Sequence, residues 1–414
     1  LEEEEKEFSM RRFRGLLAGG LIAACGVAAM ADPLDDQIKD YYDTTAYTID
    51  DLALPGEVPQ AGFDVVATIG GQDYVLSLDP VSLRSENFRV LIDDGTQLRE
   101  VPAPAPRTVR GQVEGVPGSL VVGSLMPDGL SVMVELPVGG EIQKWFIQPL
   151  HEVDPTQDPA HHVVYYSEDQ VWPEGAHCPV DAGPLHKHEH EVSGDINPAD
   201  TLYQCEIAFD LDNDYYNARG RDQNALIADL ETVMNVVEVT YERDCQITYL
   251  TTDIIIRTSR TYTTTDPNSL LTQFQSRWNS NHGNIQRDIA HLMTGKNIDG
   301  GVIGIAYLSV ICNRSQGYGL SETTFSGSLN FRAALTAHEL GHNWSAQHCD
   351  GQTCNIMCSF INGCNGIGNP IRFATVSINR IVSFRNSRNC LDIVNDNTLP
   401  LPFFDDIPSS TIDE

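Results

Sequence analysis

Basic side chains are scarce. Only 26 Lys and Arg stand against 58 Asp and Glu in 414 residues, a formal net charge of -32. So acidic a surface repels phosphate backbones and anionic headgroups, which excludes nucleic acid as a partner. Long apolar runs are also missing beyond residue 31, so no later segment matches the ~20 residues of a helical membrane span. Paired basic residues are absent near residue 195, where a furin-like protease would need them. Hydrophobic residues are not in short supply. At 41% they suffice for the cores of two ordinary domains.

The first residues bear on compartment. "LEEEEKEFS" precedes Met10 and reads as upstream sequence. From Met10, "MRRFRGLLAGGLIAACGVAAMADP" has a basic start, a short apolar stretch and Ala29-Met30-Ala31, the pattern of a secretory signal with its cleavage site. Ile22-Ala23-Ala24-Cys25 offers a second route, lipid attachment at Cys25 and retention at the cell surface. Both routes lead out of the cytoplasm. Cysteine usage agrees: eight cysteines lie between Cys205 and Cys390, enough for up to four disulfides in an oxidising compartment. Cys178 stands alone upstream of them.

Four regions follow: 1–31, upstream residues and signal; 32–197, β-rich with a linker; 198–392, mixed; 393–414, an acidic tail. In the second, "GFDVVATIGGQDYVLSLDP" alternates apolar and polar residues around Gly70-Gly71, a hairpin signal, and similar turns recur up to Leu150. A breaker-rich stretch with His186, His188 and His190 reads as an exposed linker. From Leu202 strands alternate with helices, which argues a mixed α+β unit whose sheet carries helices. Asp222 is placed to cap a long helix, and Leu230, Met234 and Val237 give it a core face. The tail from Leu391 has six acids, no base and three prolines, the composition of a flexible end.

The chemistry concentrates in "ALTAHELGHNWSAQHCD", residues 334–350. On a helix His338 and His342 are one turn apart, so both imidazoles leave one face and can reach a single cation. Glu339, beside the first of them, reaches a water at that cation. His348 joins if the chain ends its helix and turns back over 343–347. Three neutral imidazoles leave a tetrahedral position open, the mark of a catalytic zinc site. Such a site lowers the pKa of a water to about 7, and Glu339 would take its proton as it attacks an amide carbonyl. A bare H-E-x-x-H occurs by chance in about one chain in a hundred, and the third histidine cuts that by about fortyfold.

"HELGHNWSAQH" resembles the metzincin motif H-E-x-x-H-x-x-G-x-x-H, and Met357 in "NIMC" stands where metzincins carry the Met-turn. "RDIAHLMTGKNIDGGVIGIAYLSVIC" and "GYGLSE" narrow the resemblance to the reprolysin (adamalysin, ADAM-like) catalytic domain over about residues 200–392, and "RTVRGQVEGVPGSLVVGSLMPDGL" through "WFIQPL" is similar to the family's propeptide. The resemblance implies a mostly parallel twisted sheet, a long active-site helix, and strands ahead of that helix including a substrate-pairing edge strand. It implies zinc on His338, His342 and His348, with Glu339 as catalytic base and Met357 beneath the site. Protein or peptide substrates and a latent precursor come with it, matured by an unnamed protease.

Two departures stand out. Ser345 occupies the family's glycine, where a left-handed turn would carry a Cβ cost of roughly 1–2 kcal/mol. Cys349 separates His348 from Asp350, where the family has Asp directly. The resemblance also suggests a structural calcium site, to which Glu206 and Asp288 match by position. Cys178, in "EGAHCPV", is a candidate cysteine switch whose thiolate would fill the open zinc position in the precursor. For disulfides, the family implies Cys312–Cys390. Cys349, Cys354, Cys358 and Cys364 crowd the Met-turn and are expected to pair among themselves, leaving Cys205–Cys245, one preference among 105 connectivities. The competing reading is a catalytically silent secreted or surface module that keeps the fold for binding.

Overall fold

The computed structural model describes residues 33–179, 201–350, 354–361, 363–364 and 371–395. The signal segment with Cys25, the histidines at 186, 188 and 190, and nearly all of the acidic tail lie outside the described residues.

The N-terminal part begins with helix α1 (Pro33–Tyr42), followed by β1 (Thr48–Asp51), β2 (Phe63–Ile69), β3 (Gln72–Pro80), β4 (Arg84–Asp93), β5 (Leu98–Val101), β6 (Thr108–Val113), β7 (Leu120–Met126), β8 (Gly129–Val138), β9 (Glu141–Pro149) and β10 (His161–Tyr166). Eight of these form an antiparallel sheet in the order β1-β10-β9-β8-β7-β6-β3-β2. The expected hairpin is present: Phe63 to Ile69 pairs with Leu78 to Gln72 around Gly70-Gly71. The sheet curls until its two ends meet, where Thr68 N–H on β2 donates to Asp50 on β1 at 2.7 Å. Val65, Leu76, Val109, Val132 and Ile147 fill the inside of the curl. Val122 and Met133, alternate residues of β7 and β8, instead join the main core outside it.

The C-terminal part contains β11 (Thr201–Leu211), α2 (Asn213–Ala218), α3 (Gln223–Cys245), β12 (Ile247–Arg257), α4 (Pro267–Asn281), β13 (Ile289–Thr294), β14 (Gly304–Ala306), β15 (Tyr318–Glu322), α5 (Leu329–Asn343), α6 (Thr375–Asn386) and β16 (Asp392–Asn395). Its sheet runs β14-β15-β13-β11-β12-β4-β5, with β16 added on β11. The β11, β12, β13 and β15 pairings are parallel, while β14 runs antiparallel at the edge. The chain is therefore mixed α+β, with a β-rich first part and a mostly parallel sheet behind the histidine helix. β4 and β5 are a surprise, because these strands from the first part of the chain extend the second sheet.

Both faces of this sheet are covered, which explains its nearly continuous apolar strands. Ile207, Phe209, Ile254 and Ile256 face the core shared with α3 and α5. Their neighbours Ala208, Ile255, Ala290 and Leu292 face α4, against Leu271, Phe274 and Trp278. Period-two alternation thus assigns each residue to a helix layer. α3 starts where the sequence placed it, with the Asp222 carboxylate accepting from Asn224 N–H and Ala225 N–H. It ends at Gln246 in a left-handed conformation, φ 50°. The stretch "GVIGIAYLSVIC" yields a strand of only three residues before it turns.

Candidate active site

α5 presents the histidines. Nothing breaks the helix from Leu329 to Asn343, and every residue in it is buried. Gly341 lets it sit directly on the Met-turn: a Cβ there would lie 2.6 Å from Met357 Sδ. Beyond Trp344 the chain turns back through Ser345 at φ 81°, with Ser345 N–H on His342 O at 2.9 Å and Ala346 N–H on Gly341 O at 2.8 Å. The position where the motif carries glycine does take the left-handed conformation, and a serine occupies it. This turn carries His348 to the other two imidazoles.

The three Nε2 atoms converge. His342 lies 3.0 Å from His338 and 3.2 Å from His348, and His338 and His348 are 3.2 Å apart. The second ring nitrogens settle the tautomers of two of them. His338 Nδ1 donates to Ile356 O at 2.6 Å and His342 Nδ1 to Ala346 O at 2.8 Å; carbonyls only accept, so these Nδ1 atoms carry the hydrogens. Their Nε2 lone pairs then point at one another. Burial holds both rings neutral, His338 pushed down to about 3 and His342 well below the ordinary range, with His348 adding to each effect. Convergent lone pairs on buried neutral imidazoles, each oriented by a carbonyl, suit a divalent cation such as zinc.

Glu339 lies beside this cradle and is fully buried. Burial raises its carboxyl well above the usual range, partly offset by the Cys178 thiol. Its Oε1 has no hydrogen-bond partner among the described residues. The carboxylate packs on Gly304 of edge strand β14, where a Cβ would come within 2.4 Å of Oε1. The sequence reading missed Gly304. Only its location in the edge strand pointed there.

Cys178, the cysteine singled out upstream, reaches the same centre. Its Sγ is 3.5 Å from His342 Nε2 and 3.7 Å from Glu339 Oε2, and the four donor atoms of Cys178, His338, His342 and His348 all lie within 4.8 Å of one another. The backbone around it is held on both sides. His177 N–H donates to Gly301 O and Ile303 N–H to His177 O, each at 3.1 Å; across the cleft, Cys178 N–H donates to Ser359 O at 3.0 Å and Ile361 N–H to Ala176 O at 3.2 Å. His177 bridges Val302 in parallel and Phe360 in antiparallel sense. Residues 176–178 therefore lie as a short strand between the 301–303 segment and 359–361.

The departures and secondary sites resolve in part. Asp350, one place later than in the family, accepts Ser359 N–H at 2.7 Å and so ties the turn after His348 to the wall segment. Residues 365–370 of that wall lie outside the described residues. Cys312–Cys390, Cys349–Cys354 and Cys358–Cys364 are disulfides. The Cys205–Cys245 pairing is not formed: both remain buried thiols, because Cys205 sits level with Tyr249 in β12 while Cys245 closes α3. Glu206 and Asp288 are adjacent, with Glu206 N–H on Asp288 Oδ2 at 2.9 Å. Burial first, then the charges of Glu206 and Asp392, push Asp288 up to about 6.

Comparison with known proteins agrees with this geometry. Residues 201–380 match the reprolysin model of metallo-peptidase family M12. The snake venom metalloproteinase trimerelysin-2 of Protobothrops flavoviridis is 37% identical over 67 residues, 16% of this chain and 33% of its own length. A zinc metalloproteinase/disintegrin of Bitis gabonica is 39% identical over 77 residues, 19% of this chain and 22% of its own. The chain thus spans a third or less of these relatives. The match covers β11 to β15, α5 and Met357, and over residues 201–380 the chain is similar to reprolysin-type metallopeptidases of family M12.

Proposed function

We propose that the chain is an exported, zinc-dependent endopeptidase held latent by its own residue Cys178. The observation that carries this reading is the convergence of three imidazole Nε2 atoms on one point, with the buried Glu339 carboxylate beside them. His338, His342 and His348 would hold the zinc, and two of them are kept in the ligating tautomer by Ile356 O and Ala346 O. Zinc, when bound, supplies Lewis acidity that makes a water acidic at neutral pH and polarises a carbonyl.

The chain's own residues do the rest. Glu339, packed against Gly304, accepts the proton of the attacking water and returns it to the departing amine. An extended substrate would be gripped by the backbone groups that now hold residues 176–178, namely Gly301 O and Ile303 N–H on one side and Ser359 O and Ile361 N–H on the other. Occupation of that cleft supports latency, and three disulfides with the signal-like start support export. A structural calcium at Glu206 and Asp288 belongs to the same reading, supported by the crowding of like charge there; added calcium should raise Tm in wild type and not in Asp288→Asn.

Activity on denatured casein, with and without chelator, tests the main reading. Wild type should be active after maturation and inhibited by chelator, and Glu339→Ala should lose about 10²–10⁴-fold while retaining zinc. Identical behaviour of the two proteins would return the chain to the binding-module reading.

A further inference from the structure

We infer that the N-terminal part, residues 33–179, is a permanent partner of the 201–395 part: cutting the chain between them leaves one particle. The inference rests on the interface between the parts and is independent of the proposed chemistry.

The first support is the sheet. β4 pairs in parallel with β12 from Arg89↔Asp253 to Arg257↔Asp93, and β5 continues beyond it. If the N-terminal part departed, the amides and carbonyls of β12 would become a bare edge. Arg257, fully buried, donates to Asp210 on β11 and to Asp93 on β4. Half of that arrangement belongs to the N-terminal part.

The second support is α3. Its polar residues Glu231, Asn235, Glu238 and Glu242 recur every three or four positions, a stripe along one face. All are buried, and the N-terminal part neutralises them. Arg110 of β6 donates to Asn235 at 2.7 Å, to Glu238 at 2.8 Å and to Glu242 at 3.1 Å. Arg84 of β4 makes a paired contact with Glu231 at 2.5 and 2.8 Å. Removing one partner of a buried ion pair is strongly destabilising because it strands the other charge.

The third support is the active-site helix. Ser328 gives α5 no side-chain cap. Gln148 of β9 takes that role from outside: its Oε1 accepts Leu329 N–H at 2.9 Å and its Nε2 donates to Gly327 O at 3.1 Å. Gln170 Nε2 adds a 2.7 Å bond to Ser328 Oγ. The apolar core is equally continuous, with Val122, Met133, Phe146 and Tyr165 in one cluster with residues of α3 and α5.

The test uses the full chain with a specific protease recognition sequence substituted for residues 185–191. After cutting, verified by two bands on a denaturing gel, native gel filtration with light scattering should return the mass of the intact chain at low micromolar concentration and in raised salt. Hydrogen exchange at the amides of residues 253–257 should stay as slow as in uncut protein. Two separate species of fragment mass, or fast exchange along β12, would overturn the inference.

Discussion

Glu339 Oε1 lies against Gly304 so closely that a methyl group on the glycine would approach it to 2.4 Å. The carboxylate is 0% exposed, and its Cγ and Cδ would also lie within 2.8 Å of that methyl group. The edge strand therefore fixes the position of the proposed base. Gly304→Ala should displace it and lower kcat by about 10²-fold, since a shift of about 1 Å costs that much. Bound zinc, measured by elemental analysis, should not change. A variant with unaltered kcat would show that the contact has no bearing on the reaction.

Latency should depend on one sulfur atom. In Cys178→Ala the chain should cleave a peptide without any cut in its backbone, at least about tenfold faster than the intact wild-type precursor, because a strong zinc donor has gone. A mutant as silent as the wild type would assign latency to the backbone of residues 176–178 instead.

Ser345 offers a stability test. Its φ of 81° places a Cβ where glycine has none, and its hydroxyl meets Ser309 Oγ at 2.9 Å on the surface. Ser345→Gly should raise unfolding free energy by about 1 kcal/mol in denaturant titrations. A loss of stability would mean that the hydroxyl contact or the extra freedom of the unfolded glycine outweighs the strain.

Acid sensitivity should reside partly in His162, remote from the histidine cradle. Its Nε2 accepts Leu130 N–H at 2.8 Å and its Nδ1 donates to Ala160 O at 2.7 Å, so only the neutral ring fits. Burial pushes it down to about 4 from an ordinary 6.5, outweighing the Ala160 carbonyl, which favours the charged form. With the folded value below the unfolded one, the unfolded chain binds the proton first. The contribution is intact above pH 6.5 and is lost as pH falls towards 4, up to about 3 kcal/mol. Denaturation midpoints of wild type and His162→Asn should diverge across that window; parallel curves would show that another group is responsible.

The histidine spacing and the α3 cap at Asp222 were legible because each depends on neighbours along the chain. So was the positive φ at Ser345, since the motif demands a turn there. Gly304, the carbonyls of Ile356 and Ala346, and the Gln148 cap were not. They act through contacts between distant residues, and a glycine or a main-chain oxygen leaves no mark in composition or period. The β4 pairing escaped for a related reason: "RSENFRVLID" reads as a strand without saying which sheet it joins. Cys205 and Cys245 show the limit of parity counting, because an even number of thiols does not oblige the last two to meet.

The Asp93–Arg257 contact bears on how the C-terminal part is produced in the laboratory. An expression design beginning near residue 201 would follow the boundary suggested by the family match, yet it would cut through an eight-strand layer and discard two of its members. Such a truncated product should be poorly soluble, and that outcome would reflect the choice of start site, with no fault in the C-terminal part itself. Designs that start at residue 33, with an engineered cut further along, keep the layer whole.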